Sequence, residues 1–241
     1  MICRIADFNI DLKGIYTRLR DMCEEYRCDD AESIDFSIHT TNEDVDSERE
    51  RAKTQDLYNN ERESILETWA AYRKIVAEVL KRNAFLMHGV AIEHEGRGYI
   101  FTAASGTGKT THVKLWKEAF GDENVTIING DKPILRFLDD KVYAYGTPWN
   151  GKEHYGTTGR TAIDGVCFLK RGEKNAIRRI TTEEAVPLMF SQIMIADSTD
   201  LARQLELVDM FFEKVPAYIL ECNMDVSAAV VAKSALTEKD N

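Results

Sequence analysis

The sequence predicts an α/β protein: a mixed-sheet core carrying a phosphate-binding loop, with a small N-terminal α+β extension and helices toward the C-terminus. Three observations carry that reading. At Tyr99–His112, "YIFTAASGTGKTTH", an apolar strand runs through a glycine-bearing turn into a helix. That strand follows another strand across the tight turn "EGRG", where a doubly wound parallel fold would place a helix. Further on, short apolar runs joined by tight turns give way to helical periodicity only in the last third of the chain.

Two regions follow, 1–80 as the extension and 81–241 as the core. In the extension, "RIADFNIDL" alternates like a strand, and "GIYTRLRDMCEEY" places Ile15, Leu19, Met22 and Tyr26 at helical spacing. "SIDFSIHT" alternates again. Residues 41–64 are the most polar part and have no apolar face, so a solvated connection is expected there. From about Glu61 to Arg82, Ile65, Trp69, Tyr72, Ile75, Val76, Val79 and Leu80 recur at helical spacing, which predicts one long amphipathic helix.

In the core, "FLMHGVAIEH" and "GYIFTAA" read as the two strands of a hairpin. The loop and its helix "THVKLWKEAF" come next. "NVTIING", "PILRFL" and "VYAYG" are short strands, "FLDDKVY" marks a hairpin, and "AIDGVCFLKRG" and "AIRRI" continue the sheet. "TTEEAVPLMFSQIMI" opens with a threonine cap and an acidic first turn. A helix in "TDLARQLELVDMFFEKV", a strand in "AYILEC" and a final helix in "DVSAAVVAKSAL" complete the chain.

Composition bounds the function. The 241 residues, 44% apolar and 30% charged, have the profile of an ordinary globular protein able to bury a substantial core. A net charge of −10 opposes nonspecific attraction to nucleic acid or an anionic membrane. Cys3, Cys23, Cys28, Cys167 and Cys222 form no CxxC pair and read as reduced thiols. With no apolar run of membrane-spanning length and no cleavable leader pattern, a cytoplasmic location is expected.

The loop is the strongest motif. In G-x-x-x-x-G-K-[ST], the P-loop, backbone N–H groups cradle phosphate oxygens, the lysine neutralises them and the last hydroxyl ligates Mg²⁺. Here the stretch is Ala103-Ala104-Ser105-Gly106-Thr107-Gly108-Lys109-Thr110, followed by Thr111. Ala103 replaces the first glycine and restricts backbone freedom there. Lys109 is expected on the β- and γ-phosphates of ATP, Thr110 on the metal, and Ser105–Thr111 around the nucleotide. Asp131, at the end of the strand "NVTIING", can hold Mg²⁺ or its water, or take a proton from an attacking hydroxyl. After the next strands, "YGTPWNGKEHYGTTGR" suits a loop that closes over a substrate, with Lys152 and Arg160 toward the phosphate and Trp149 as cover. His112 has no assigned role, and Arg178 and Arg179 read as a solvated strand face.

These residues carry a resemblance. "SGTGKTT" is similar to the phosphate loop of ATP-dependent phosphoenolpyruvate carboxykinase, and "MHGVAIEHEGRGYIFTAASGTGKT" resembles the catalytic domain of HPr kinase/phosphorylase. "HGV…SGTGKTTHVKLW…INGDKPILR…GTPWNGKE" looks like bacterial HPr-kinase-like or carboxykinase-like proteins over about residues 84–235. The resemblance implies a mixed-sheet P-loop fold. It also implies that Asp131 serves as base and metal neighbour, and that His88 is the strand histidine near the transferred phosphate. HPr kinases carry Asp-Asp where this chain has Gly130-Asp131. Against full carboxykinases the chain lacks the N-terminal domain length and the extra metal-binding and organic-acid-binding apparatus, so decarboxylation is not expected.

Two functions are consistent with this. One is an ATP- and Mg²⁺-dependent kinase moving the γ-phosphate to a hydroxyl of a protein or peptide serine or of a small molecule. It is expected to have no nucleic-acid or membrane partner, with a homo-oligomer possible. The other is a nucleotide-binding regulatory module without turnover, suggested by Ala103 and the single aspartate.

Overall fold

The computed structural model describes residues 1–54, 61–195, 197 and 200–237. It divides into two compact units, Met1–Arg82 with Ile195–Asp200, and Asn83–Met194 with Leu201–Asn241.

The first unit holds a three-stranded sheet, β1 (Ile2–Ile5), β2 (Phe8–Lys13) and β3 (Phe36–His39), with β1 antiparallel and β3 parallel to β2. The alternation expected to form one strand over residues 4–12 is therefore a hairpin. It turns at Ala6 and Asp7, both at positive φ (53° and 56°), and Ala-Asp is not a pair that announces such a turn. The helix expected over 14–26 is short, α1 (Thr17–Met22), followed by a 3₁₀ turn.

The polar segment contains a helix, α2 (Asn42–Thr54), and so is not the apolar-free connection expected. α2 buries Val45, Ala52 and Glu48, and the Glu48 carboxylate accepts from Arg73 Nε (2.6 Å) and Arg51 Nη1 (2.8 Å). Paired charge covers for sparse apolar area here, a contribution that sequence periodicity does not register. Residues 55–60 of that connection lie outside the described residues. The long helix forms as expected, α3 (Glu63–Leu80), with Leu66, Ala71, Ile75 and Val79 in the core. Its fully buried Glu67 accepts from the Tyr16 N–H (3.0 Å), the Thr40 hydroxyl (2.6 Å) and the Ile15 N–H.

The second unit is built on β4 (Ala84–Leu86), β5 (Val90–His94), β6 (Arg97–Thr102), α4 (Lys109–Phe120), β7 (Val125–Asn129), β8 (Ile134–Leu138), β9 (Lys141–Tyr145), β10 (Arg160–Arg171), β11 (Ala176–Ile180), α5 (Thr182–Phe190), α6 (Leu201–Lys214), β12 (Ala217–Cys222) and α7 (Ser227–Thr237). The sheet order is β4-β8-β9-β10-β6-β5-β7, with β12 also on β10 and β11 on β12. β10 runs parallel to β6 and β12, and every other pairing is antiparallel. The fold is a mixed α/β sheet. Its pivot is the long β10, whose start pairs with β9 and whose remainder pairs with β6 and β12. Between β6 and the helices α4 and α7, Phe101, Trp116, Leu220 and Ala232 form an apolar core. No helix among the described residues is long and apolar enough to cross a membrane.

In this second unit two expected elements differ from those observed. "FLMHGVAIEH" is not one strand: β4 pairs with β8, β5 pairs with β6 and β7, and Met87–Gly89 cross between the two partners. α5, opened by the capping box of Thr181 and Glu184, stops at Phe190. The chain then extends so that Ile193 bridges Met87. A tertiary pairing thus replaces the last turn of an otherwise periodic helix.

Candidate functional site

β6 delivers the chain to the loop at Thr102, and α4 starts at Lys109. Within the loop only Gly106 (φ 77°) and Gly108 (φ 122°) take left-handed backbone, which glycine adopts without steric cost. Ala103 does not, so its methyl group imposes no strain where the motif would have glycine. Its carbonyl accepts from Lys109 Nζ at 2.8 Å. Lys109 is only 8% exposed, and burial pushes its ammonium pKa down, a shift that the nearby Asp131 charge opposes. An anion beside the ammonium would offset the solvation that burial removes.

The tip of the loop is held from outside. Arg171, the last residue of β10, donates through Nε to the Thr107 carbonyl (3.3 Å) and through Nη2 to the Gly106 carbonyl. These bonds satisfy two loop carbonyls and tie the loop tip to the end of β10. The sequence gives no sign of this, because Arg171 lies at the far end of another strand.

Asp131 is positioned by a turn at the end of β7. Asn129, fully buried, accepts through Oδ1 from the N–H groups of Asp131 (2.9 Å) and Lys132 (2.7 Å), and donates through Nδ2 to the Thr147 carbonyl (3.1 Å). Thr147 Oγ1 closes the set by donating to the Lys132 carbonyl at 2.8 Å. The crossover brings His88 to this turn: Met87 N–H donates to Pro133 (3.3 Å), Gly89 N–H to Asp131 (2.8 Å) and His88 N–H to Gln192 (2.6 Å). His88 Nε2 consequently lies 3.3 Å from Asp131 Oδ1, while Lys132 Nζ donates to Asp131 Oδ2. Burial pushes the Asp131 pKa up, but hydrogen bonds and charge from His88 and Lys132 outweigh it and hold the carboxyl down at about 2.

Gly130 explains why a single carboxylate stands here. A Cβ at Gly130 would meet the Asn150 and Tyr155 carbonyls at 2.9 Å, and the Gly130 N–H donates to that Tyr155 carbonyl at 2.8 Å. The Asp-Asp pair of the resembled kinases therefore has no room on this backbone.

A cleft of about 610 Å³ joins these parts. Its walls include Ser105, Gly106, Gly108, Lys109, Thr110 and Thr111 from the loop and α4, together with His88, Asp131, Lys132, Lys152 and Glu153. Thr107 faces a second cleft on the other side of the loop. Of the three residues proposed for a closing loop, Lys152 lines the first cleft. Trp149 is buried at 8% exposure and is not among its walls. Arg160 donates to Tyr145 Oη (2.6 Å) and stacks over Tyr143 (4.8 Å), also away from the walls. The segment carrying them is stitched to β7 by Thr157 N–H to Ile128 (3.1 Å) and by the Asn129–Gly156 bridge.

No protein-family model matches the chain, and no curated protein matches it in sequence. Among solved structures, it is similar to the HPr(Ser) kinase/phosphatase from Coxiella burnetii over 62% of this chain and 95% of that one. The two are 9% identical with a TM-score of 0.39. A similarity of that size carries no argument about residues or activity. The mixed α/β architecture stands on the strand pairings themselves.

Proposed function

We propose that this chain is an ATP-dependent phosphotransferase that moves the γ-phosphate, with Mg²⁺, to a hydroxyl of a protein or peptide serine or of a small molecule. The observation that carries the reading is the shared cleft: a phosphate-cradling loop with its buried lysine on one wall, and an ionised aspartate paired with a histidine on the other. Phosphoryl transfer asks the protein mainly to position and to neutralise charge. Lys109 and the loop amides would hold the phosphates. Asp131 would orient the acceptor hydroxyl and take its proton, with His88 fixing the carboxylate.

The residues suit a hard cation. Thr110 and Asp131 offer oxygen ligands in one cleft, the donor type Mg²⁺ prefers. The described residues contain no group of three or more His, Cys, Asp or Glu able to hold a metal unaided. A cation here would therefore take most of its ligands from phosphate and water. Once bound it would neutralise charge on the transferring phosphoryl group.

The alternative, a nucleotide-binding regulatory module without turnover, draws on the same site: the second Asp131 oxygen is already taken by Lys132. The test is ATP·Mg²⁺ turnover, read as ADP release with and without cell-extract acceptors, alongside calorimetry of ATP. Lys109→Ala should abolish or greatly weaken ATP binding while the protein stays folded. Tight ATP binding without acceptor-dependent ADP release would favour the module. Unchanged ATP affinity in Lys109→Ala would remove both readings.

A further inference from the structure

The two carboxylate oxygens of Asp131 are in different situations. Oδ1 lies 3.3 Å from His88 Nε2, whereas Oδ2 accepts from the ammonium of its own chain neighbour, Lys132. Both residues of that second pair are partly buried, and both line the cleft that the phosphate loop shares. With Oδ1 turned to the histidine, Oδ2 is the oxygen left to take a proton or to hold a cation. In the empty cleft Lys132 blocks it.

What can move here is narrowly defined. The Lys132 N–H donates to Asn129 Oδ1 at 2.7 Å, the Asp131 N–H donates to the same oxygen at 2.9 Å, and the Lys132 carbonyl accepts from Thr147 Oγ1 at 2.8 Å. The backbone of the turn is pinned. The lysine side chain is not, because its flexible stem and rotatable ammonium can serve whichever acceptor is stronger. On the loop side of the cleft Lys109 is anchored by the Ala103 carbonyl at 2.8 Å, and its ammonium feels the charges of both Asp131 and Lys132. The Asp131–Lys132 pair therefore stands within electrostatic reach of whatever the loop holds. A terminal phosphate carries more negative charge than a carboxylate and offers three acceptor oxygens. It outcompetes Asp131 for the ammonium.

We propose that Lys132 is a latch on Asp131 that the terminal phosphate of a bound triphosphate opens. The ammonium rests on Oδ2 while the cleft is empty and passes to the terminal phosphate when a triphosphate occupies the loop, which frees Oδ2 for the acceptor hydroxyl or the cation. Only an ion pair is exchanged. A ligand shifts such an equilibrium by binding one arrangement better than the other, and a diphosphate, which ends one phosphate short, gives Lys132 nothing to move to. This rests on the phosphotransferase reading and adds an order to it: triphosphate first, acceptor second. It also accounts for a base that is blocked in the empty protein, the feature on which the module without turnover draws.

The test uses the full chain in EDTA, so that no cation competes for Asp131, and two probes, inorganic tripolyphosphate and pyrophosphate. Calorimetry gives each protein's preference for the longer one. Lys132→Met should lower that preference by at least about fivefold. Asp131→Asn opens the latch beforehand and should raise it by at least about threefold, a rise that vanishes when Lys132→Met is added. A rise of the same size in the double variant would be Asp131's own repulsion of phosphate and would overturn the latch, as would an unchanged preference in Lys132→Met. The structure of the unmodified protein with tripolyphosphate keeps the test open even if a variant fails to fold. It should show Lys132 Nζ on the terminal phosphate; Nζ still on Asp131 Oδ2 overturns the latch while the phosphotransferase reading stands. If neither probe binds, and ATP with Mg²⁺ does not bind either, that reading fails and takes the latch with it.

Discussion

His88 Nε2 sits 3.3 Å from Asp131 Oδ1 because two segments distant in sequence are laced together by backbone hydrogen bonds, Met87 to Pro133 and Gly89 to Asp131. The pair is therefore built into the sheet and does not depend on side-chain reach alone. An Asp131→Asn substitution keeps the shape and removes the charge. ATP should still bind, and phosphoryl transfer should fall by about 10²–10⁴-fold, the usual contribution of a positioned base. Calorimetry and ADP release measure the two separately. Wild-type transfer in Asp131→Asn would put the base elsewhere, with His88 the first alternative.

The same carboxylate makes a statement about pH. Its folded pKa is held at about 2 against an ordinary 3.8, so its stabilising contribution is fully present above about pH 4 and is lost as pH falls through 2. The stability gap between wild type and Asp131→Asn should shrink as pH falls below 3.8 toward 2. Urea titrations at stepped pH read this directly. A gap that closes between pH 7 and 5 would contradict an ion-paired Asp131.

Gly130 yields a prediction against intuition. Restoring the second acid of the resembled kinases with Gly130→Asp should lower activity, because its Cβ would press on the Asn150 and Tyr155 carbonyls at 2.9 Å. Gly130→Ala should do nearly the same, as the clash belongs to the Cβ. Overpacking of this kind costs about 1–3 kcal/mol, visible as a lower Tm in both variants. A gain of turnover in Gly130→Asp would show that the 150–155 segment yields easily.

The uneven legibility of the chain has a physical cause. The phosphate loop, the Glu95-Gly96 hairpin and the Asp139-Asp140 hairpin are readable because each turn carries Gly or Asp at left-handed φ, although Glu95 takes that conformation too. The β1–β2 hairpin turns on Ala-Asp and gives no such signal. α2 was hidden because its burial rests on Glu48 with Arg73, a pairing across sequence. Lys109 and Asp131 are picked out by motif and by strand-end position. Their supports are not: Asn129 with Thr147, Lys132 on the aspartate, and Arg171 behind the loop all act through contacts that only the folded sheet creates. Trp149 stands in a polar, glycine-rich stretch whose composition gives no sign of its burial.

His112 predicts an acid sensitivity of its own. Its folded pKa is about 4 against an ordinary 6.5, so the unfolded chain takes up a proton first as pH falls. The stabilisation is complete above 6.5 and is lost between 6.5 and about 4, a loss of about 3 kcal/mol. His112→Gln should flatten that part of the stability profile, measured by denaturant unfolding at pH 7 and pH 5. An equally steep profile in the variant would place the titration in another group.

Arg171 separates holding the loop from attracting phosphate. Its guanidinium bridges the Gly106 and Thr107 carbonyls, so Arg171→Ala frees the loop tip and also removes a cation from the rim. Charge-assisted hydrogen bonds contribute about 1.5–3 kcal/mol when shielded, and at this exposed position solvent reduces the expected loss to about 1 kcal/mol, roughly fivefold in ATP affinity. Arg171→Lys keeps the charge but lacks the planar fork that spans two carbonyls. If the loop geometry is what matters, the lysine variant should bind ATP as weakly as the alanine variant, and neither affinity loss should disappear at high salt. Full rescue by lysine, or convergence of all three proteins in 0.5 M salt, would reduce Arg171 to a screened charge.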